Sequence, residues 1–199
     1  MSDLAEPPLS EHEVQRRMPS LSSIDDDEIR HEVIHLTKFA PAYFWERPGS
    51  YRGYHNGHEH GLWAHTLKLS TVIDRLGDSW VEMGHIRTSD IDRVHAAAVL
   101  HDQLKEGAER SDDEETRRDH ELLMAGRIRE HSNLSEPVVR AVEAHMGAWY
   151  DGPTPRPGSI EDLLHCADMM ASCRAITVPV PTPVPDELVD HVQGVDIDG

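Results

Sequence analysis

Fifteen histidines are spread along 199 residues, and those best placed to do chemistry sit on apolar helix faces or at helix ends. Four meet that condition: His65, His101, His120 and His145. Asp102 adjoins His101 and Asp168 lies further on, so six nitrogen and oxygen donors arrive from five separate helical segments. Helical bundles build carboxylate and imidazole metal sites in their cores in this way. Neutral imidazole mixed with carboxylate suits one or two divalent ions of Mn, Fe, Ni, Zn or Mg, and the lack of a paired-thiolate spacing argues against a structural zinc site. Taken one at a time, each histidine reads equally well as a hydrogen-bonded core residue, and residue type alone leaves that alternative open.

The periodicity that must position these groups is helical throughout, with no alternating strand run, glycine-rich phosphate loop or internal repeat. Ile24 with Asp25, Asp26, Asp27 and Glu28 opens a helix, because acids in a first turn meet the positive end of the dipole, and it runs to about Ala40. Tyr43 to Gly61 reads as an aromatic and glycine-rich loop. The next helix aligns Leu62, His65, Leu69, Val72, Ile73 and Leu76, which turns His65 inward. Thr88, Ser89 and Asp90 cap a helix carrying Val94, Ala98 and His101 and ending near Asp102. His120 shares a face with Leu123, Met124 and Ile128. Ser135 and Pro137 start a helix that groups Val138, Ala141, Val142 and His145. Ser159-x-x-Asp162 resembles a capping box, and in the helix it opens Asp168 flanks the apolar face.

Composition bounds the setting. Hydrophobic residues make up 38% of the chain, enough for one core, so a single all-α bundle is expected over residues 24–177. A flexible acidic arm, 1–23, precedes it, and a Pro-rich acidic tail, 178–199, follows as extended chain laid on the surface or on a partner. A homo-oligomer or a protein partner reached through the tail is the expected assembly. Lys+Arg 19 against Asp+Glu 37 leaves a net charge of −18, which disfavours unaided binding to a nucleic-acid backbone. Only Lys38, Lys68 and Lys105 are lysines, and an acid excess dispersed along an arginine-rich chain is the balance of a halophilic protein. No run approaches the roughly 18 apolar residues of a membrane span, and the start MSDLAEPPLSEHE lacks the regions of a signal peptide, so a cytoplasmic location is expected. Cys166 and Cys173 stand seven residues apart on one helix, about 10 Å of rise, too far for a disulfide. They read as small buried apolar residues.

The order His65, His101-Asp102, Asp168 resembles the HD-domain superfamily of metal-dependent phosphohydrolases. The likeness covers roughly residues 50–175 and is carried by four segments in order: HGLWAHTLKLS, AAAVLHDQLKEG, AVEAHMGAWYDG and LLHCADMMAS. They are similar to the family's "GGLLEHS", "ALLHDxxK", "HMG" and "LHLADMxA" segments. Ala64 stands where glutamate is usual and His60 where glycine is common. The resemblance implies an all-helical domain in which His65, His101, Asp102 and Asp168 hold a first metal. By the same resemblance Asp102, His120 and His145 hold a second, so that Asp102 bridges. It also gives Lys105, as in HDxxK members, the role of neutralising a phosphoryl oxygen or helping to protonate a leaving group.

The implied function is hydrolysis of a phosphomonoester or phosphodiester in a nucleotide or related small molecule by a metal-activated water. Three further residues are candidate substrate contacts: His60 in the histidine-rich stretch with His55 and His58, His165 three residues before Asp168, and Trp149 just beyond His145. Trp149 or Tyr150 would stack a nucleobase. The competing reading is a regulatory module that binds metal and nucleotide without turnover and acts through a protein partner. A nucleic-acid processing subunit would need a partner with a basic surface.

Overall fold

Helix ends follow the capping chemistry of the chain. The computed structural model describes residues 7–50, 56–108, 116–150 and 152–195, and these form eight α-helices. Asp26 caps α2 (Asp27–Thr37) by accepting from the Glu28 and Ile29 amides, while Ser159 caps α8 (Ile160–Ala171) by accepting from Glu161. In α7 (Glu136–Ala144) Ser135 is the N-cap and Pro137 occupies the first turn, where its missing amide hydrogen costs nothing. The long helix α4 (Gly61–Glu82) begins at a glycine because a Cβ there would lie 1.8 Å from the Asn56 carbonyl oxygen. The expected all-α bundle is therefore present, with α5 (Ile91–Leu100) and α6 (His120–His131) completing it.

Packing centres on α4, which lies against α8 and α5; α7 contacts α5, α6 and α8. Thirteen residues of α4 are buried, among them Leu62, Trp63, Leu67, Leu69 and Ile73, and the whole run Val94 to Leu100 of α5 is inaccessible apart from traces. The buried His95 also pairs with the partly exposed Asp74, Nε2 to Oδ1 at 3.0 Å, and joins α5 to α4 away from the six candidate ligands. Burial of these faces, at about 25 cal/mol per Å² of apolar surface, is what assembles five ligand-bearing segments around one point.

Three expectations are corrected. The flexible arm expected over 1–23 is, for residues 7–23, part of the packed structure. Ser10 and Glu13 form a capping box that starts α1 (Glu11–Arg17), and Val14, Met18 and Leu21 are buried in the core. The Arg17 carbonyl accepts from Trp63 Nε1 at 2.8 Å. The polar composition hid this because a few buried apolar side chains suffice to hold the segment against the bundle. The loop expected from Tyr43 to Gly61 instead opens with α3 (Ala42–Glu46), whose Tyr43, Phe44 and Trp45 are buried. Cys166 is half-buried and Cys173 exposed rather than both buried, because α8 ends at Ala171.

The tail lies on its own bundle over residues 178–195. Val180 and Leu188 are fully buried, β1 (Val180–Pro181) pairs in parallel with β2 (Gly194–Val195), and Arg16 of α1 holds Glu187 with two hydrogen bonds. Among the described residues no helix is long and apolar enough to cross a membrane.

The net charge of −18 gives a solution prediction. Raising potassium chloride from about 0.1 M to about 1 M shortens the screening length from about 10 Å to about 3 Å and removes most of the repulsion among surface carboxylates. The melting temperature is expected to rise by roughly 4–8 °C, equivalent to about 2 kcal/mol. A flat or falling melting temperature would remove the halophilic reading and leave the metal centre untouched.

Candidate metal centre

The centre forms where α4, the end of α5, the start of α6, the end of α7 and the middle of α8 converge. His65 comes from α4 and Asp168 from α8, with His65 Nε2 3.0 Å from Asp168 Oδ1. His101 is the C-cap of α5 and Asp102 follows it in the turn. That turn is pinned from outside: the Tyr43 hydroxyl donates to the Gly107 carbonyl at 2.7 Å and accepts from the Glu106 amide, while Gln103 Nε2 donates to Thr37 Oγ1 at 2.9 Å. His120 opens α6, and His145 caps the C-terminus of α7. His65, His101, Asp102, His120 and His145 are at most 3% exposed.

Three overlapping groups bring ligand atoms within 4.8 Å of one another: His65, His101 and Asp102; His101, His145 and Asp168; and Asp102, His120 and His145. Asp102 belongs to the first and third groups. Its Oδ1 lies 3.0 Å from His120 Nε2 and 3.5 Å from His145 Nε2, and those two nitrogens are 3.3 Å apart.

Hydrogen bonding behind the ligands decides which atoms they present. Nδ1 of His101, His120 and His145 each lies 2.7 Å from a backbone carbonyl, of Ala98, Arg117 and Val142 respectively. A carbonyl only accepts, so each Nδ1 carries a hydrogen and each ring turns its Nε2 to the centre. Among the described residues the buried His101 Nε2 has no hydrogen-bond partner. Burial would raise the pKa of Asp102, but Lys105, His101, His120 and His145 outweigh it and hold the carboxyl well below its ordinary value. Burial also opposes ionisation of Asp168, and His65, with smaller help from His101 and His145, holds it low. Burial pushes the His101 imidazole down to about 4, which leaves it neutral with its lone pair available. His145 goes the other way: burial disfavours its cation, yet Asp102 and Asp168 raise its pKa, so the cluster draws positive charge toward that Nε2. Converging lone pairs, two ionised carboxylates and an unpartnered imidazole nitrogen fit divalent cations and little else.

The HD domain family model matches residues 62–172, more than half of the chain and the stretch that contains all six donors. The chain belongs to the HD domain family. Neither a curated protein nor a solved structure matches it significantly. HD domains form a superfamily of metal-dependent hydrolases, so divalent metal binding and the all-α bundle stand together for this chain.

Other residues around the HD domain's centre fall into distinct places. Lys105 Nζ lies 2.5 Å from Asp102 Oδ2, with its side chain 18% exposed, so it balances the Asp102 carboxylate. His165 Nδ1 donates to the His145 carbonyl at 2.6 Å and so positions that ligand's backbone. A Cβ at Gly147, whose φ is +56°, would come within 2.8 Å of the His165 ring, which is why the HMG segment ends in glycine. His60 is turned away, its Nδ1 donating to the Trp45 carbonyl at 2.6 Å and its ring edge-on to Trp63. Trp149 is 67% exposed, whereas the Tyr150 ring lies 5.7 Å from that of His120, perpendicular to it, with Arg118 over the Tyr150 ring. His55 lies outside the described residues. Glu121 was missed: fully buried beside His120, it places Oε2 3.5 Å from His120 Nδ1, and neither of its oxygens has a hydrogen-bond partner among the described residues. No spacing rule announces it, because adjacent helical residues face different ways.

Proposed function

We propose that this HD domain is a phosphohydrolase acting on a phosphomonoester or phosphodiester of a nucleotide or related small molecule. The observation that carries the reading is the sharing of Asp102 between two ligand groups, His65 with His101 and His120 with His145. Divalent cations bound there supply Lewis acidity and lower the pKa of water for attack at phosphorus. The chain's own residues do the rest. Backbone carbonyls keep three imidazoles in one tautomer, and the pinned turn keeps Asp102 between the groups. Lys105, partly exposed beside Asp102, is positioned to meet a non-bridging phosphoryl oxygen or to return a proton to the leaving oxygen. Tyr150, at the His120 edge, is the aromatic face nearest the ligands for a nucleobase.

Phosphate release from a panel of nucleoside mono-, di- and triphosphates and cyclic nucleotides, with Mn added at molar salt, tests this reading. Turnover of at least one member is expected, and its loss on chelation should be restored by added metal. Metal-loaded protein that releases no phosphate from any member would favour the regulatory module that binds without turnover.

A further inference from the structure

Lys68 and Ala171 each stand three residues beyond a candidate ligand, His65 on α4 and Asp168 on α8, about 4.5 Å further along each axis. Both line one open cavity of about 580 Å³, closed on its far side by Arg174 and by the tail residues Asp190 and His191. Two of the cavity's lining residues thus stand about one helical turn along the chain from the His65–Asp168 pair. Two of its lining residues, Lys68 and Arg174, are cationic. Lys68 Nζ bonds only a neutral amide, Asn56 Oδ1 at 2.5 Å, and among the described residues neither Lys68 nor Arg174 pairs with a carboxylate. Lining the same cavity, Asn56 keeps its Nδ2 buried with no partner. Burial lowers the Lys68 pKa, the expected cost of a cation held beside an amide alone. At the same edge, His58 stacks on His191 of the tail, the ring planes 5° apart and the centroids 4.5 Å apart, which ties the tail to the chain ahead of α4. Asp190 is the single acid among the lining residues. In a chain with three lysines and a net charge of −18, two cations that line one cavity without a carboxylate partner among the described residues, beside an amide nitrogen that also lacks one, mark a place for an anion.

We infer that this cavity, walled by Lys68, Asn56, Arg174 and the docked tail, receives a second anionic group of the substrate, a phosphate one helical turn away from the phosphoryl group at the metal centre. The inference rests on the proposed phosphohydrolase reading and names its substrate class: phosphorylated compounds bearing at least two phosphates. The tail is then a wall of the substrate site rather than an appendage.

Two measurements on the full-length Mn-loaded protein test it. In calorimetric titrations, wild type is expected to bind pyrophosphate at least tenfold more tightly than orthophosphate, and Lys68→Met or Arg174→Ala should bring that ratio toward one with the Mn content unchanged. Lys68→Arg, which keeps the charge, should retain the preference and shows that loss in Lys68→Met is not misfolding. A ratio unaffected by either charge-removing variant overturns the inference. In the hydrolytic measurement, kcat/KM for a nucleoside carrying two phosphates should exceed that for its monophosphate, and the same two variants should erase the difference. If orthophosphate added to the monophosphate reaction restores the higher rate through Lys68, the anion is a separate effector and its place in the substrate is wrong. Absence of any turnover would sink the phosphohydrolase reading while the pyrophosphate titration still decides whether the cavity binds anions.

Discussion

Asp102→Asn is expected to abolish hydrolysis and to remove most of the bound metal while leaving the helical circular dichroism unchanged. Asp102 is the one side chain common to the groups built on His65 and on His120. The amide keeps the shape of the carboxylate and deletes its charge, so both groups lose their anionic ligand at once and the imidazoles keep their places. The fold should survive for a specific reason. Breaking a fully buried ion pair costs about 3–5 kcal/mol. Lys105, however, has a side chain 18% exposed and can turn its ammonium to water, so the cost falls well below that figure. Metal analysis after dialysis, with turnover measured beside it, decides the matter. Near-native turnover in purified Asp102→Asn would mean that the doublet is a structural pair and that the chemistry lies elsewhere.

His120→Ala and His145→Ala separate one cation from two. Both imidazoles have Nδ1 tied to a carbonyl and Nε2 directed at Asp102 Oδ1, an arrangement with no use in core packing. Protein prepared in excess Mn should carry close to two ions per chain, and each variant close to one, because His65, His101, Asp102 and Asp168 remain. Loss of groups that merely orient a ligand costs about 10- to 100-fold in metal affinity or activity, so loss of a ligand itself should lower turnover by about a hundredfold or more. The exposed His12 supplies the comparison, since His12→Ala touches none of the cluster and should match wild type. One ion per chain in wild type, with both variants as active as His12→Ala, would establish a single-metal centre and return His120 and His145 to the core.

The helical period of the chain by itself determined the bundle and the inward direction of His65, and residue types named the six donors. The Ser159 cap was readable because it acts on an amide two residues away, whereas Asp26, read as one of the acids of a first turn, is the N-cap of α2. Resemblance, not periodicity, grouped the donors into two sets, and the tertiary structure brings them together as three overlapping groups, two of which share Asp102 while the third joins Asp168 to His101 and His145. What lay beyond local rules was decided only by packing between distant segments. Residues 7–23 read as a free arm because a helix as short as α1 has no independent stability; the segment is held by burying Val14 of that helix and Met18 and Leu21 just beyond it against the bundle. Tyr43 read as loop because its hydroxyl finds its partners some sixty residues on, at Gln103, Glu106 and Gly107. His60 looked available for substrate, yet its ring is held by Trp45, fifteen residues earlier. Lys68 did carry a legible sign, its spacing of three from His65, but the cavity it lines needs Arg174 and the tail for its other walls. Local sequence dictates backbone hydrogen bonds and the face a side chain takes; which faces meet depends on the burial of surfaces far apart in the chain, and only the folded bundle settles that.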